Sequence, residues 1–392
     1  MKNLFFLASA CFILMMFLNS CNKEKGVEVE YIYYEEGEHE MMSKYLNLEE
    51  YPLNFDFEFP EYYRATPRSF DRSMATLGRV LFYDTELSDD RTISCASCHK
   101  QELAFADDLA FSKGVNGHET ARNSLALGSV FNFNEYYNTV SGGFGAVPFF
   151  WDNRANSVQE QSKLTFANEQ EMNMPMGTVI DRVKEQEYYQ PLFNAAYATY
   201  AGEIIEPTED RILDAIGIFI GSLGSANTKF DRALTQYSQQ HGSTNNFENA
   251  SLPLLTDQEN EGLRIYTSKC GSCHGNVMGM PAELQANNGL DLVYEDDGIG
   301  EGDFKVATLR NIGVTGPYMH DGRFTTLEEV IEHYSSGIQN HSNLSQQLKS
   351  GNNAMQMNFS ETEKAALLAF LRDACTDDEF LTAKKYSDPF IR

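Results

Sequence analysis

Two cysteine pairs, each followed directly by a histidine, are the residues best placed to do chemistry in this chain: Cys95-Ala96-Ser97-Cys98-His99 and Cys270-Gly271-Ser272-Cys273-His274. C-x-x-C-H is the covalent attachment pattern of a c-type haem. The two thiols add across the vinyl groups of the porphyrin, and the histidine reaches the iron from one face. The pattern therefore predicts two haems, one on Cys95, Cys98 and His99, the other on Cys270, Cys273 and His274. The alternative is a zinc site built from the same side chains. Such sites set each cysteine pair in a knuckle and need no histidine directly after the second cysteine.

The remaining cysteines fit an exported chain. Lys2 precedes an apolar run from Leu4 to Leu18, then Leu18-Asn19-Ser20-Cys21. A charged start and a run too short for a spanning helix are the marks of a signal peptide. A cysteine at the cleavage site resembles a bacterial lipobox, so residues 1–20 are expected to be removed and Cys21 lipidated. Haem attachment in bacteria takes place outside the cytoplasmic membrane, which agrees with export. Cys11 leaves with the leader, four cysteines hold haem, and Cys375 stands alone, so no disulfide is expected. Cys375 ends an apolar helix and reads as a buried small residue. The expected location is the periplasmic side of a bacterial membrane, held there by lipid alone.

The elements that must position the two motifs are helical. Residues 21–50 are acidic and aromatic, with Glu-Glu-Gly-Glu-His-Glu at 35–40, and read as a tether. A helix over Arg72–Tyr83 leads to the first motif. Pro207-Thr208 opens another, with Ile212, Ala215, Ile216, Phe219, Ile220 and Leu223 on one face. Polar residues at 238–246 read as a link. Thr256 with Glu259 and Ser360 with Glu363 are capping-box pairs that open a helix before the second motif and a last helix. Few alternating runs compete for strand. The expected fold is all-α, with two cytochrome c-like lobes at 51–245 and 246–392, the first enlarged by an insertion. The net charge of −27 argues against nucleic acid and fits equally a basic redox partner or solubility in a saline habitat.

Beyond these motifs the chain, from about 70 to 375, resembles the bacterial di-haem cytochrome c peroxidase family, which also holds MauG. Arg122-Asn123-Ser124 and Phe150-Trp151-Asp152-Asn153-Arg154 carry the resemblance in the first half. The family usually has Gly where Asn153 stands, and Asn tolerates positive φ. The resemblance implies that Trp151, the chain's one tryptophan, sits between the haems and assists electron transfer. Gln161 and Glu171, ten and twenty residues after Trp151, match the family's distal pair. Glu171 would move a proton between the two oxygens of hydrogen peroxide, and Gln161 would orient it. Without the family register, Glu169 would compete with Glu171.

In the second half the resemblance rests on Thr308-Leu309-Arg310-Asn311 and Thr315-Gly316-Pro317-Tyr318-Met319-His320-Asp321-Gly322. It implies one calcium ion between the haems, held by the Asn123 side chain and the Thr315 and Pro317 carbonyls. Ordinary family peroxidases carry a Met fourteen residues after the His of His-Asp-Gly. Here that position is Tyr334, as in MauG and its relatives. A phenolate would stabilise ferric iron on the second haem. His333 is the rival ligand. Where ordinary family members place a distal His on the first iron, this chain has Val115, with His118 three residues on. An open first iron is expected. The function implied is reduction of hydrogen peroxide with electrons from a small cytochrome c or copper protein. A MauG-like oxidase of a partner protein and a plain di-haem electron carrier are the alternatives, and a homodimer is left open.

Overall fold

The computed structural model describes residues 34–392 apart from 36, 61, 63–68, 130–135, 139–142, 146–147, 277 and 279–280. The expected leader, Cys11, the lipidation site Cys21 and the start of the tether lie outside the described residues. In chain order the helices are α1 (Glu38–Met42), α2 (Arg72–Tyr83), α3 (Cys95–Cys98), α4 (Val158–Ala167), α5 (Met176–Glu185), α6 (Tyr189–Tyr197) and α7 (Glu209–Gly221). Then come α8 (Lys229–His241), α9 (Asp257–Lys269), α10 (Gly271–His274), α11 (Leu327–Glu332), α12 (Glu361–Ala369) and α13 (Asp378–Thr382). Strands among the described residues form short antiparallel ribbons: β1 (Tyr136–Asn138) with β2 (Gly143–Gly145), β3 (Gln285–Ala286) with β4 (Phe304–Lys305), and β5 (Lys349–Ser350) with β6 (Asn353–Ala354). The all-α expectation holds.

Helix starts follow local chemistry. The Asp71 carboxylate accepts from the Met74 amide at 2.8 Å and opens α2 at Arg72. Thr256 and Glu259 exchange side-chain and backbone bonds at the start of α9, and Ser360 and Glu363 do the same for α12. Each capping pair satisfies two amides that the helix itself leaves orphaned.

Two helix crossings set the positions of the haem motifs, and they are built alike. At Gly78 of α2 an added Cβ would lie 1.9 Å from the Ala215 carbonyl oxygen of α7 and 2.9 Å from Phe219 Cβ. At Gly262 of α9 it would lie 2.0 Å from the Ala366 carbonyl oxygen and 2.7 Å from Phe370 Cβ. In both, glycine lets a helix backbone approach its neighbour over an Ala-x-x-x-Phe step. In both, the glycine helix is the one that precedes a C-x-x-C-H.

Two hydrophobic cores follow from these crossings. The first joins α2, α5, α6 and α7, and Cys95 and Ala96 pack against it. The second joins α8, α9, α11 and α12, and Cys270 packs against it. The chain crosses between them at both ends. Phe380 and Tyr386, from the C-terminal segment, lie in the first core, and Tyr62 lies in the second. Inside the second core Arg310 is paired with Asp231 at 2.6 Å, and Asp231 also accepts from Tyr62 at 2.6 Å. Burial alone would raise the Asp231 carboxyl, but the Arg310 guanidinium holds it below the ordinary carboxylate range.

Two expectations change. Residues 238–241, read as the start of a link, are the last turn of α8, closed by Gly242 at φ 73°. Phe230, Ala233 and Leu234 of that helix belong to the second core, so the cores divide before α8. Part of the stretch read as tether is packed: Met42 and Leu46 are each 1% exposed in the first core. Their acidic neighbours hid this in the sequence. Cys375 is buried, as expected. No helix among the described residues is long and apolar enough to cross a membrane.

Candidate active site

Each haem motif ends in a histidine whose ring is already oriented. His99 Nδ1 lies 2.8 Å from the Phe105 carbonyl, and His274 Nδ1 lies 3.0 Å from the Ala307 carbonyl. A carbonyl can only accept, so Nδ1 carries the proton and Nε2 is left bare for a metal. Ser124 adds a second hold, with its hydroxyl donating to Cys98 O at 2.7 Å and lying 3.2 Å from His99 Nδ1. Burial pushes the His274 imidazole down to about 4 and moves His99 in the same direction. Both are therefore neutral at ordinary pH, the form that binds iron.

Both histidines line a single cavity of about 850 Å³. Cys98 and Cys270, Cys273 line it too. Apolar side chains from both halves, among them Leu125, Phe149, Leu309 and Ile331, make up much of the remaining wall. An apolar cavity with a neutral imidazole and thiols from each motif suits porphyrins held through thioethers. Among the described residues no three His, Cys, Asp or Glu side chains cluster closely enough to hold a metal ion.

The predicted distal pair lies on the same cavity, carried by α4 and the turn after it. Gln161 Nε2 donates to Thr165 Oγ1 at 3.0 Å, one helical turn on. Glu171 Oε1 accepts from Asn168 Nδ2 at 2.7 Å, and Thr165 also hydrogen-bonds its carboxylate. Burial raises the Glu171 carboxyl, and these two bonds only partly offset it. Gln161, Thr165, Asn168 and Glu171 all line the cavity, whereas Glu169 is exposed and does not. Val115 is fully buried, and its amide donates to the Glu171 carbonyl at 2.9 Å. His118 is exposed and outside the cavity lining.

Trp151 is clamped at the meeting of the two halves. Its indole Nε1 donates to the Asn123 carbonyl at 2.9 Å, and its own carbonyl accepts from the Lys305 amide at 2.8 Å. The turn after it places Asn153 at φ 55°, the conformation expected where the family has Gly. Arg122 binds Asp296 with two bonds of 2.6 and 2.7 Å and pairs with Asp152 at 2.6 Å. Asn123, Thr315 and Pro317 all line the cavity. The Asn123 amide nitrogen donates to the Leu109 and Ala110 carbonyls at 3.1 and 3.4 Å. The carboxamide is thereby turned so that its oxygen is the end left for a cation, which fits a hard ion held by oxygen.

Tyr334 and His333 separate cleanly. They begin a π-helical turn, His333–Gly337, that continues α11. Tyr334 lines the cavity, while His333 Nε2 is engaged by the Asn288 carbonyl at 3.1 Å and is absent from the lining. Burial pushes the Tyr334 hydroxyl well above the usual tyrosine range. A phenolate there requires a cation beside it. Sequence reasoning missed Thr165, Asn168, Ser124 and Lys305. Thr165 alone left a signal, being one helical turn from Gln161.

The profile of di-haem cytochrome c peroxidases matches residues 72–239. The cytochrome c551 peroxidase of Nitrosomonas europaea is 30% identical, over 68% of this chain and 76% of that protein. The chain belongs to the di-haem cytochrome c peroxidase family. It is also 28% identical to the methylamine utilization protein MauG of Methylorubrum extorquens, over 75% of this chain and 76% of that one. The crystal structure of a MauG-like protein associated with microbial copper homeostasis superposes with a TM-score of 0.66 at 28% identity, covering 85% of this chain and 99% of that one. The protein is thus an oxidoreductase of the cytochrome c peroxidase type. Membership implies two c-type haems, hydrogen peroxide and a cytochrome electron donor.

Proposed function

We propose that this protein reduces hydrogen peroxide to water at the haem on His99, with electrons delivered one at a time by a small periplasmic cytochrome c or copper protein. The observation that carries the reading is Glu171, a half-buried carboxylate lining the same cavity as His99. The haem iron, when bound, supplies the site at which the O–O bond of peroxide breaks. The residues supply the proton work. Glu171 takes the proton from the peroxide oxygen nearer the iron and returns it to the oxygen that leaves as water. Its raised pKa suits both halves of that cycle. Thr165 and Asn168 fix its carboxylate, and Gln161, held through Thr165, presents its remaining oxygen to peroxide.

Trp151 lies between the haems in this reading and relays electrons. Tyr334 is the sixth ligand of the second haem, whose iron offers the cation its phenolate needs. Asn123, Thr315 and Pro317 hold one calcium ion. The haem lobes meet between α7 and α8, where the cores divide. Cys21 carries the lipid, which membrane fractionation of a Cys21→Ser variant checks: the variant partitioning like wild type would contradict it. Tyr334 on the cavity also supports the MauG-like alternative, in which the same irons oxidise side chains of a partner protein. A plain electron carrier has no use for Glu171.

The test is Glu171→Gln beside Glu169→Gln. Glu171→Gln should lower peroxide turnover by roughly a hundred- to ten-thousand-fold with both haem spectra kept. Glu169→Gln should change little. Equal turnover in wild type and Glu171→Gln would remove the proposed mechanism.

A further inference from the structure

Asp84 is a carboxylate inside the first core, only 2% exposed, and no cation is among the groups that set its acidity. Two phenols bond to it instead. Tyr189 and Tyr188 both donate their hydroxyls to Asp84 Oδ2, at 2.6 and 2.8 Å. The rings of the two tyrosines are 4.8 Å apart between centroids. Tyr189 is fully buried in the first core, against which Cys95 of the first haem motif packs. On the other side Tyr188 lies 5.5 Å, centroid to centroid, from Tyr45. Tyr45 is 38% exposed, and its hydroxyl donates to a second carboxylate, Glu187. Three tyrosines thus step from the first haem motif to the surface, each with a carboxylate on its hydroxyl.

That pairing matters because a phenol loses an electron readily only if its proton can leave with it. Burial raises the Asp84 carboxyl above the ordinary range, which makes it a better base for such a proton. A core tyrosine needs only one hydrogen-bond acceptor of any kind to be satisfied. Ion-capable acceptors on three consecutive rings exceed that need.

We propose that Tyr189, Tyr188 and Tyr45 conduct oxidising equivalents from the first haem to the protein surface, making Tyr45 a second oxidation site for small phenolic one-electron donors. It rests on the reading that peroxide oxidises the haem on His99. Tyr189 gives one electron to the oxidised haem and its hydroxyl proton to Asp84, leaving a neutral tyrosyl radical. An electron from Tyr188 refills Tyr189, which recovers the Asp84 proton as Tyr188 releases its own to the same carboxylate. Tyr45 then refills Tyr188 in the same way, and its proton passes to Glu187. A phenol at the surface gives one electron to Tyr45, which recovers its proton from Glu187; the phenol releases its own proton to solvent and becomes a phenoxyl radical. Two such passages supply the two electrons that one peroxide needs.

The experiment treats the holoprotein with hydrogen peroxide in the presence of a phenolic radical trap, without a protein donor. Haem absorption is followed, and trap adducts are mapped by mass spectrometry. The expected result is an adduct on Tyr45 that falls at least tenfold in Tyr188→Phe, while peroxide changes the haem spectrum as in wild type. Tyr45→Phe, at an exposed position, should lose the adduct with no loss of folding. A haem that responds to peroxide while Tyr45 stays unlabelled would overturn the tyrosine route alone. Labelling of Tyr45 that persists undiminished in Tyr188→Phe would also overturn it. A haem spectrum indifferent to peroxide would overturn both this proposal and the peroxidase reading.

Discussion

Glu171 and Glu169 stand two residues apart and carry the same side chain, yet only Glu171 lines the cavity. Glu171 is half-buried and held by Thr165 and Asn168 on the cavity, and Glu169 is in solvent. Composition could not separate them; the family register did, and the structure supplies the physical difference. Tyr334 and His333 form the same kind of pair. Register pointed to Tyr334, which lines the cavity, whereas the His333 ring is engaged by the Asn288 carbonyl. Replacing Tyr334 by Met should raise the reduction potential of the second haem, because an anionic oxygen stabilises ferric iron more than a thioether does. A redox titration reads this directly, and an unchanged potential would show that Tyr334 does not bind the metal. What stayed invisible at this scale was the second layer. Ser124 and Lys305 act through contacts far apart in sequence, and Lys305 is drawn down to about 8 purely by burial. No local pattern announces such a residue.

At the scale of elements, some of the helices that open on side-chain caps were legible, since a cap is a local device. Arg72, Thr208, Thr256 and Ser360 mark helix starts in both sequence and structure. The helix α8 was not, because its apolar residues Phe230, Ala233 and Leu234 are few and its C-terminal turn is Ser, Gln and His. The glycine crossings were also missed, although the repeated Ala-x-x-x-Phe step on α7 and α12 could have signalled them. They give a sharp test. On helix propensity alone, Gly262→Ala would stabilise by about 1 kcal/mol. The added carbon would meet a backbone carbonyl at 2.0 Å, which no rotamer change relieves. The helices must separate, and overpacking of this kind costs about 1–3 kcal/mol. Thermal unfolding should therefore show Gly262→Ala below wild type. Gly177→Ala, where nothing lies within 4 Å, should be neutral or slightly more stable. A rise in midpoint for Gly262→Ala would mean that the crossing is looser than described.

Across the whole molecule, two cores with the same helix crossing carry two copies of one haem motif, and one cavity joins them. The division into two helical lobes was legible from the spacing of the motifs. The exchange of ends was not, since Tyr62 and the segment from Phe380 to Tyr386 reach their cores across hundreds of residues of chain. The lobes differ where function requires it. In the first, Glu171 stands over the cavity and Val115 offers no ligand; in the second, Tyr334 faces in. The most direct test of this asymmetry is electron paramagnetic resonance of the resting, fully ferric holoprotein before and after one equivalent of peroxide. The account predicts one high-spin ferric haem and one low-spin haem, with the high-spin signal lost on peroxide addition without prior reduction. Two low-spin haems that peroxide leaves unchanged would contradict it.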